Sequence, residues 1–384
     1  MTFQRTTLGL LALSLGFASC SKDDVNTPAT VQLRTKMDYA TLTATSPYTT
    51  SFKDASSAAT VDLGTSSTRL DMVTELDSYL KTVTVTTSTP APLNAAKLHN
   101  QYTNTDAPFT SATLNTSGVQ LRDQTAASFS AANATTVRSY MDAALDKVAV
   151  ASQSVAATAT AGNAGRLGKY LVDANGVEQG QVIQKALIGA LLLDQIDNVL
   201  LSEAALSADN SAVVTGKTYT ALEHNWDLAY GYLTRNAIMT TDFSVTPKEL
   251  FLAGYLNEKN SSNSPKVYLA FLKGRAAIVN NDQATLKQQA DIIRTELEKT
   301  MAMSATSYLA SWKSGTDLAT KAHALGEGLG FLYSLRFCTT KYKADAAFSD
   351  AQLASLLSGT NGAWSLTNAQ ADAVISAVTA KFSL

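Results

Sequence analysis

The chain has 384 residues, of which 45% are hydrophobic and 16% are charged. This length allows one large domain or two smaller ones, with enough apolar residues for a sizeable core. A net charge of −2 without a cluster of basic residues argues against nucleic acid as a partner.

The N-terminus has the pattern of a secretory signal peptide. Arg5 precedes the apolar run Leu8–Ala18, and small residues stand just before Cys20. We therefore expect residues 1–19 to be removed and Cys20 to become a lipidated N-terminus that holds the protein to a membrane. No later run is both long and uncharged enough for a spanning helix, so this lipid is the expected anchor.

The residues after the expected cut bear on the location of the protein. The run Ser21-Lys22-Asp23-Asp24 resembles the surface-export tag of some Gram-negative lipoproteins, and a solvated charge cluster at the start of a linker explains it equally well. We expect an outer-membrane lipoprotein whose body faces the periplasm or the cell exterior.

Residues 20–67 are rich in threonine, serine and alanine, which predicts a linker or irregular surface segment. Within it, Tyr39, Tyr48 and Phe52 are the residues that could pack against the body. Thr82–Thr87 alternates like a strand but leads into prolines, so we interpret it as a short extended connection.

The remaining chain, residues 68–384, has apolar residues at three- and four-residue spacing, which predicts helices. Val182–Leu201 is apolar nearly all round and is expected at the centre of a bundle. The chain therefore predicts an all-α fold of two packed helix bundles that divide near residues 209–217. The helices predicted after this division are Tyr219–Ala237, Pro247–Leu256, Pro265–Val279, Gln283–Met301, Leu318–Phe337, Ser349–Leu357 and Thr367–Lys381.

Local start signals support several of these helices. Thr220 with a glutamate three residues later fits a capping box. Pro247 and Pro265 each follow a hydroxyl residue, which suits the first helical position behind a cap. Asp282 and Thr367 are further predicted caps because their oxygen atoms can accept from the first free backbone N–H groups.

Two of the three histidines have a carboxylate at contact spacing. His224 and Asp227 are three residues apart, and His323 and Glu327 are four apart. Both spacings place the side chains on one helix face, about 5–6 Å apart at Cβ. Imidazole and carboxylate on facing helices can form a metal site, but a histidine that a carboxylate only orients has the same pattern. His99 has no such partner in the sequence and is expected to be structural.

Five other polar side chains are candidates to surround these ligands. Arg275 and Arg336 are charges inside apolar helices, so each requires a buried carboxylate or a ligand anion. Glu178 precedes the central helix, where the helix dipole favours an acid whether or not it binds a ligand. Glu223 and Tyr230 accompany the first histidine on its helix, and core packing is the usual role of such a tyrosine.

Two further features of the last third of the chain concern packing. Gly326, Gly328 and Gly330 surround Glu327, although each glycine in a helix costs about 1 kcal/mol relative to alanine. They predict a close contact with another helix or with a ligand. Cys338 ends an apolar run and is expected to be a buried small hydrophobe.

Four segments carry a family resemblance: Thr68–Met72, Glu223–Tyr232, Lys273–Ile278 and Ala322–Phe331. Together with the lipidation signal they resemble a family of uncharacterised Gram-negative lipoproteins that is similar to the imelysin-like, iron-regulated proteins. The resemblance implies two helical bundles, an outer-membrane lipoprotein and a link to iron uptake. Imelysin-like proteins carry a Gly-x-His-x-x-Glu motif, whereas this chain has no glycine there and has aspartate as the acid.

The leading hypothesis is a non-enzymatic lipoprotein that binds a metal ion or a metal-bearing ligand through His224, Asp227, His323 and Glu327. Imidazole and carboxylate suit iron or zinc. The alternative is a structural or partner-binding lipoprotein, associated with an outer-membrane transporter, whose histidines are packing groups. The chain has no His-Glu-x-x-His, Gly-x-Ser-x-Gly or Cys-x-x-Cys motif, so a hydrolase has the least support.

Overall fold

Helices form most of the described chain, which confirms the predicted all-α class. The computed structural model describes residues 32–84, 88–241 and 246–384. The predicted signal peptide, the lipidation site Cys20 and the acidic tag after it lie outside the described residues. None of the described helices combines the length and the apolar character that a membrane crossing requires.

The described residues contain fourteen α-helices, one π-helix and one two-stranded antiparallel hairpin, besides short 3-10 turns. The strands are β1 (Gly165–Leu167) and β2 (Tyr170–Val172), and the π-helix is Ile188–Leu200. The α-helices are α1 (Tyr48–Ser51), α2 (Gly64–Leu80), α3 (Ala95–Thr103), α4 (Ala112–Asn115), α5 (Ala131–Ser152), α6 (Gln179–Leu187), α7 (Glu203–Leu206), α8 (Ala221–Leu233), α9 (Phe251–Lys259), α10 (Ser264–Asn280), α11 (Gln283–Ser314), α12 (Leu318–Ser334), α13 (Ala346–Leu357) and α14 (Asn368–Phe382).

Three of the predicted helix starts are confirmed. The Thr220 hydroxyl accepts from the Glu223 N–H at 3.1 Å, and the Glu223 carboxylate accepts from the Thr220 N–H at 2.8 Å, which completes the capping box of α8. Pro265 lies in the first turn of α10, but the predicted cap Ser264 is itself helical, and the N-cap Asn263 forms no side-chain capping hydrogen bond. Asp282 and Thr367 cap α11 and α14 as predicted. Local hydrogen bonding at these positions follows directly from the residue types.

The start predicted at Pro247 is wrong, because α9 begins only at Phe251. The residues before it form a loop in which the Glu249 carboxylate accepts from the Asn236 side chain at 2.8 Å and from the Thr240 backbone N–H at 3.1 Å. These contacts with the segment after α8 hold Glu249 outside the helix. The local signal at Pro247 alone would place Glu249 inside it.

The predicted central helix is observed as α6 followed directly by the π-helix, and both are buried on nearly every side. Helix α12 packs closely against α6. A Cβ atom on Gly330 would lie 2.5 Å from the Lys185 Cβ, and one on Gly326 would lie 3.0 Å from the Glu178 carbonyl oxygen. The close helix contact predicted from the glycines therefore occurs at Gly326 and Gly330, with α6 and its N-cap as the partner. Gly328 instead faces α11, where a Cβ would lie 3.4 Å from the Leu309 side chain.

The longest helix, α11, contacts α9, α10, α12, α14 and the π-helix. The segment predicted as a linker lies against this body: Tyr48 and Phe52 are fully buried, and α2 begins at Gly64. Residues Gln32 to Leu384 form one compact unit. Residues 209–217 fall between α7 and α8, and the grouping of the helices into two bundles stays a prediction.

Candidate functional site

The first histidine motif contains a buried ion-pair cluster between α8 and α10. Arg275 is fully buried and donates from Nη1 to Glu223 Oε1 at 2.8 Å and from Nε to Asp227 Oδ1 at 3.0 Å. Its Nη2 donates to the Thr60 hydroxyl at 3.1 Å. The carboxylate partner that an arginine inside an apolar helix requires is therefore present, and two carboxylates share that role.

The N-terminal segment completes this cluster. Arg34 binds both oxygens of Glu223 at 2.6 Å each, through Nε and Nη2. The Tyr48 hydroxyl donates to Asp227 Oδ1 at 2.8 Å, and the Tyr48 ring stacks on Tyr230 with 3.8 Å between centroids. Residues far apart in the sequence thus supply the contacts, and Tyr230 has the packing role expected from its position.

The charges in the cluster balance. Burial alone would raise the pKa of Glu223, but hydrogen bonding and charge from Arg34 and Arg275 lower it. Burial raises the pKa of Asp227 to about 6, against the opposing effect of Arg275. At neutral pH two carboxylates therefore face two guanidinium groups, and the cluster needs no added ion for neutrality.

His224 lies beside this cluster but is not bonded to Asp227. Its ring stacks on Tyr219 with centroids 4.3 Å apart, and its buried Nδ1 has no hydrogen-bond partner. Burial lowers the pKa of His224, and Lys217 acts in the same direction while Asp62 opposes it. The imidazole is therefore neutral at neutral pH. Asp227, the carboxylate three residues further along the helix, is bonded to Arg275 instead of His224.

The second histidine motif brings two acids to one imidazole. His323 Nδ1 lies 2.7 Å from Glu178 Oε2, and Nε2 lies 3.7 Å from Glu327 Oε2. Tyr170 of β2 stacks on the ring with centroids 4.2 Å apart. Because the two ring nitrogens point in different directions, the carboxylates lie at opposite edges of the imidazole. Glu178 is thus a direct partner of His323 as well as a residue near a helix start.

Lys185 joins this motif from α6. Its ammonium group lies 3.0 Å from Glu327 Oε1 and donates to Gln181 Oε1 at 2.6 Å. Tyr255 also donates to Glu327 Oε1, at 3.3 Å. Burial lowers the pKa of Lys185, whereas Glu327 acts to raise it. Sequence reasoning did not select Lys185 as a site residue, although a lysine within a helix that is apolar all round signals a buried acidic partner.

The four predicted ligands have separate surroundings. Asp227 belongs to the Arg275 cluster, with His224 beside it, while His323 and Glu327 contact each other and Lys185 bonds Glu327; among the described residues no hydrogen bond links the two motifs. Within residues 32–84, 88–241 and 246–384, no group of three or more histidine, cysteine, aspartate or glutamate side chains is placed to hold a metal ion. Metal binding by this chain stays a prediction.

The remaining candidates have structural contacts. Arg336 donates to Asp350 Oδ1 at 2.7 Å, and its guanidinium lies 3.6 Å from the centroid of the Tyr333 ring. Cys338 is fully buried, as predicted, and burial raises its pKa.

His99 corrects the sequence analysis, which assigned it no carboxylate partner. Its Nε2 lies 2.8 Å from Asp146 Oδ1 and its Nδ1 lies 3.6 Å from Asp142 Oδ1. Both acids are on α5, so the spacing along α3 could not reveal them. His99 and His323 thus have ring nitrogens close to carboxylates of other segments, whereas the ring of His224 stacks on Tyr219, just before its own helix.

The fold and these contacts define an all-α protein in which buried ion pairs connect both histidine motifs to neighbouring segments. The chain belongs to the family described as "Domain of unknown function (DUF4856)", whose model matches residues 47–384. The match confirms the predicted membership in an uncharacterised family and includes Tyr48, which contacts Asp227. No curated protein and no solved structure matches the chain. Similarity to imelysin-like proteins is therefore a proposal.

Proposed function

We propose that this chain is a membrane-anchored lipoprotein whose helical body binds a partner without catalysis, and whose histidine motifs stabilise that body. One observation supports the structural role of the motifs: the carboxylate of each motif is already bonded to a buried cation. Asp227 is bonded to Arg275, and Glu327 is bonded to Lys185. The two carboxylates that the sequence presents as ligands thus have partners within the protein.

Binding of a metal ion by Asp227 would disrupt this arrangement. The ion would have to compete with Arg275, whose guanidinium is fully buried and would lose one of its two carboxylate partners. Removing one member of a buried ion pair typically costs about 3–5 kcal/mol. This cost disfavours a metal ion at the first motif.

Anchoring through Cys20 can be tested in a Gram-negative host that is fed labelled palmitate. The label should be incorporated into the wild-type chain, which should fractionate with the outer membrane. A Cys20→Ala variant should lose both properties. A Cys338→Ala variant is the matched control because it removes the other cysteine and should keep both. Unlabelled wild-type protein in the soluble fraction would refute the anchor.

The partner that we propose is an outer-membrane transporter. Crosslinking in intact cells, followed by identification of the crosslinked membrane protein, tests this directly. We expect an outer-membrane protein to be recovered with the wild-type chain and not with the Cys20→Ala variant. Recovery of soluble proteins alone would contradict a role at a transporter.

A second function, binding of iron or zinc at His323, is favoured by one specific contact. Glu178 holds Nδ1 of this imidazole at 2.7 Å, while Nε2 faces Glu327 at 3.7 Å. Histidines that bind metals commonly donate their other ring N–H to a carboxylate. His323 is also partly exposed, with 29% of its side chain accessible. It could therefore bind a metal whose remaining positions are filled by a ligand, as the imelysin-like resemblance would suggest.

Calorimetric titration with ferrous, ferric and zinc ions separates the two functions. If the second is correct, His323→Ala should weaken binding at least tenfold, whereas His99→Ala should not change it. His99 is a matched control because it also lies between two carboxylates and has 33% of its side chain accessible. Equal losses in both variants, or no binding above background, would support the non-metal function.

A further inference from the structure

A pocket of about 480 Å³ lies beside the π-helix and is separate from the hydrogen bonds of both histidine motifs. Asp197 and Asn198 line it from the π-helix, Arg294 lines it from α11, and Thr339 and Thr340 line it from the segment after α12. Ligand pockets commonly have volumes of about 300–1,000 Å³. The π-helix is rare, and its usual form, a single-turn bulge inside an α-helix, occurs frequently at functional sites.

Asp197 is the exceptional residue in this pocket. It is only 1% exposed, yet neither of its carboxylate oxygens accepts a hydrogen bond. Buried polar atoms nearly always have a partner, and an ionised carboxylate can accept several hydrogen bonds. The side chain therefore has unused acceptor capacity at the wall of an open pocket.

The neighbouring acids are, by contrast, satisfied within the protein. Asp194 accepts from Ser128 and, at 3.0 Å, from the Asn198 amide. Glu298 accepts backbone N–H groups of the segment 340–342 at 2.9–3.1 Å. The missing contacts of Asp197 are thus particular to this residue and are not shared by every acid around the pocket.

Arg294 provides an unpartnered donor in the same pocket. Its Nε is buried and has no hydrogen-bond partner, and the residue is 8% exposed. Burial raises the pKa of Asp197 well above its ordinary range, Glu298 and Asp194 add to this effect, and Arg294 opposes it. Acids thus outnumber the arginine around Asp197, so a cationic group would be favoured next to its carboxylate.

We propose that this pocket binds a small zwitterion, an amino acid or a short peptide, with its ammonium group on Asp197 and its carboxylate on Arg294. An ammonium group supplies three N–H donors for the two free oxygens of Asp197. A carboxylate supplies the acceptor that Arg294 Nε lacks, in a charge-assisted hydrogen bond. The hydroxyl groups of Thr339 and Thr340, which bind Asn198 Oδ1 at 2.9 and 3.1 Å, form a polar wall beside the bound molecule.

The test uses the full chain purified in detergent and four probes: lysine, triglycine, putrescine and propionate. Lysine and triglycine carry both charged groups, whereas putrescine has only amines and propionate has only a carboxylate. We expect at least one zwitterion to bind at least tenfold more tightly than either single-charge probe in calorimetric titration. Tighter binding of lysine than of triglycine would identify an amino-acid site, and the reverse order would identify a peptide site.

Two variants connect binding to the pocket. Asp197→Asn should weaken binding of the zwitterion at least tenfold, and Arg294→Met should weaken it to a similar extent. Asp197→Asn should fold at least as stably as the wild-type chain, because it keeps the shape of the side chain and removes a carboxyl group that is costly to bury and has no hydrogen-bond partner. Asp372→Asn, a change at an exposed acid that pairs with Lys313, should leave affinity unchanged.

Three results would overturn the proposal. The first is no binding of either zwitterion at millimolar concentration. The second is unchanged affinity in a folded Asp197→Asn variant. The third is putrescine binding as tightly as the zwitterions, because this would leave Arg294 without a role. None of these results depends on the lipid anchor or on metal binding, so this proposal can fail independently of the proposed function.

Discussion

Replacing Arg275 with methionine should lower the free energy of unfolding by about 3–5 kcal/mol, the range for breaking a buried ion pair by removing one partner. Arg275 is fully buried and donates to two carboxylates and one hydroxyl. Methionine retains much of the apolar stem but supplies no donor. The expected loss of unfolding free energy therefore arises mainly from the two buried carboxylates that Arg275 no longer neutralises.

The two carboxylates should contribute unequally to this loss. Glu223 would keep both hydrogen bonds from Arg34 at 2.6 Å. Asp227 would keep only the Tyr48 hydroxyl at 2.8 Å and a long backbone contact of 3.4 Å. Adding Asp227→Asn to Arg275→Met should therefore recover most of the lost stability, because it removes the charge that is left without a cation.

Urea unfolding followed by circular dichroism gives these differences if the slope of the free energy against denaturant is unchanged. Lys287→Met is the control, since this exposed lysine pairs with exposed Glu203 and its loss should cost less than about 1 kcal/mol. A loss below about 1 kcal/mol for Arg275→Met, or no recovery in the double variant, would refute the structural role of the cluster.

Three further predictions use the remaining contacts. Gly274→Ala should destabilise the protein by about 1–3 kcal/mol through overpacking, because a Cβ there would lie 2.0 Å from the buried Trp226 ring. A stability equal to wild type in thermal melts would contradict this packing. Gly180→Ala should instead stabilise the protein by about 0.5–1 kcal/mol, since nothing lies within 4 Å of a Cβ at that helical position. A lower melting temperature than wild type would contradict this prediction. His224 should make stability fall as pH decreases below its ordinary pKa of 6.5, because burial lowers the pKa and the unfolded state then binds more protons. His224→Gln should flatten this part of the stability profile, and a profile identical to wild type would exclude His224 as the cause.

The histidine motifs illustrate how far the site could be predicted. The sequence correctly indicated that Arg275 and Arg336 need polar partners, because an unpaired buried charge is costly. It could not indicate that Asp227 is the partner of Arg275, since 48 residues separate them. The helix spacing that suggested a His224–Asp227 pair shows only that two side chains share a face. Which group each contacts depends on the neighbouring segment.

The sequence by itself determined the helical class, the capped starts of α8, α11 and α14, and the pattern that predicts a lipidated N-terminus. These features depend on residue types within a few positions of one another, where periodicity and capping hydrogen bonds act. Tertiary structure decided which carboxylates neutralise Arg275 and Lys185, and where His323 meets Glu178. It also left Asp197 without a partner at the wall of a pocket. Such contacts form only when distant helices pack, because burial and charge pairing depend on every segment that surrounds a side chain.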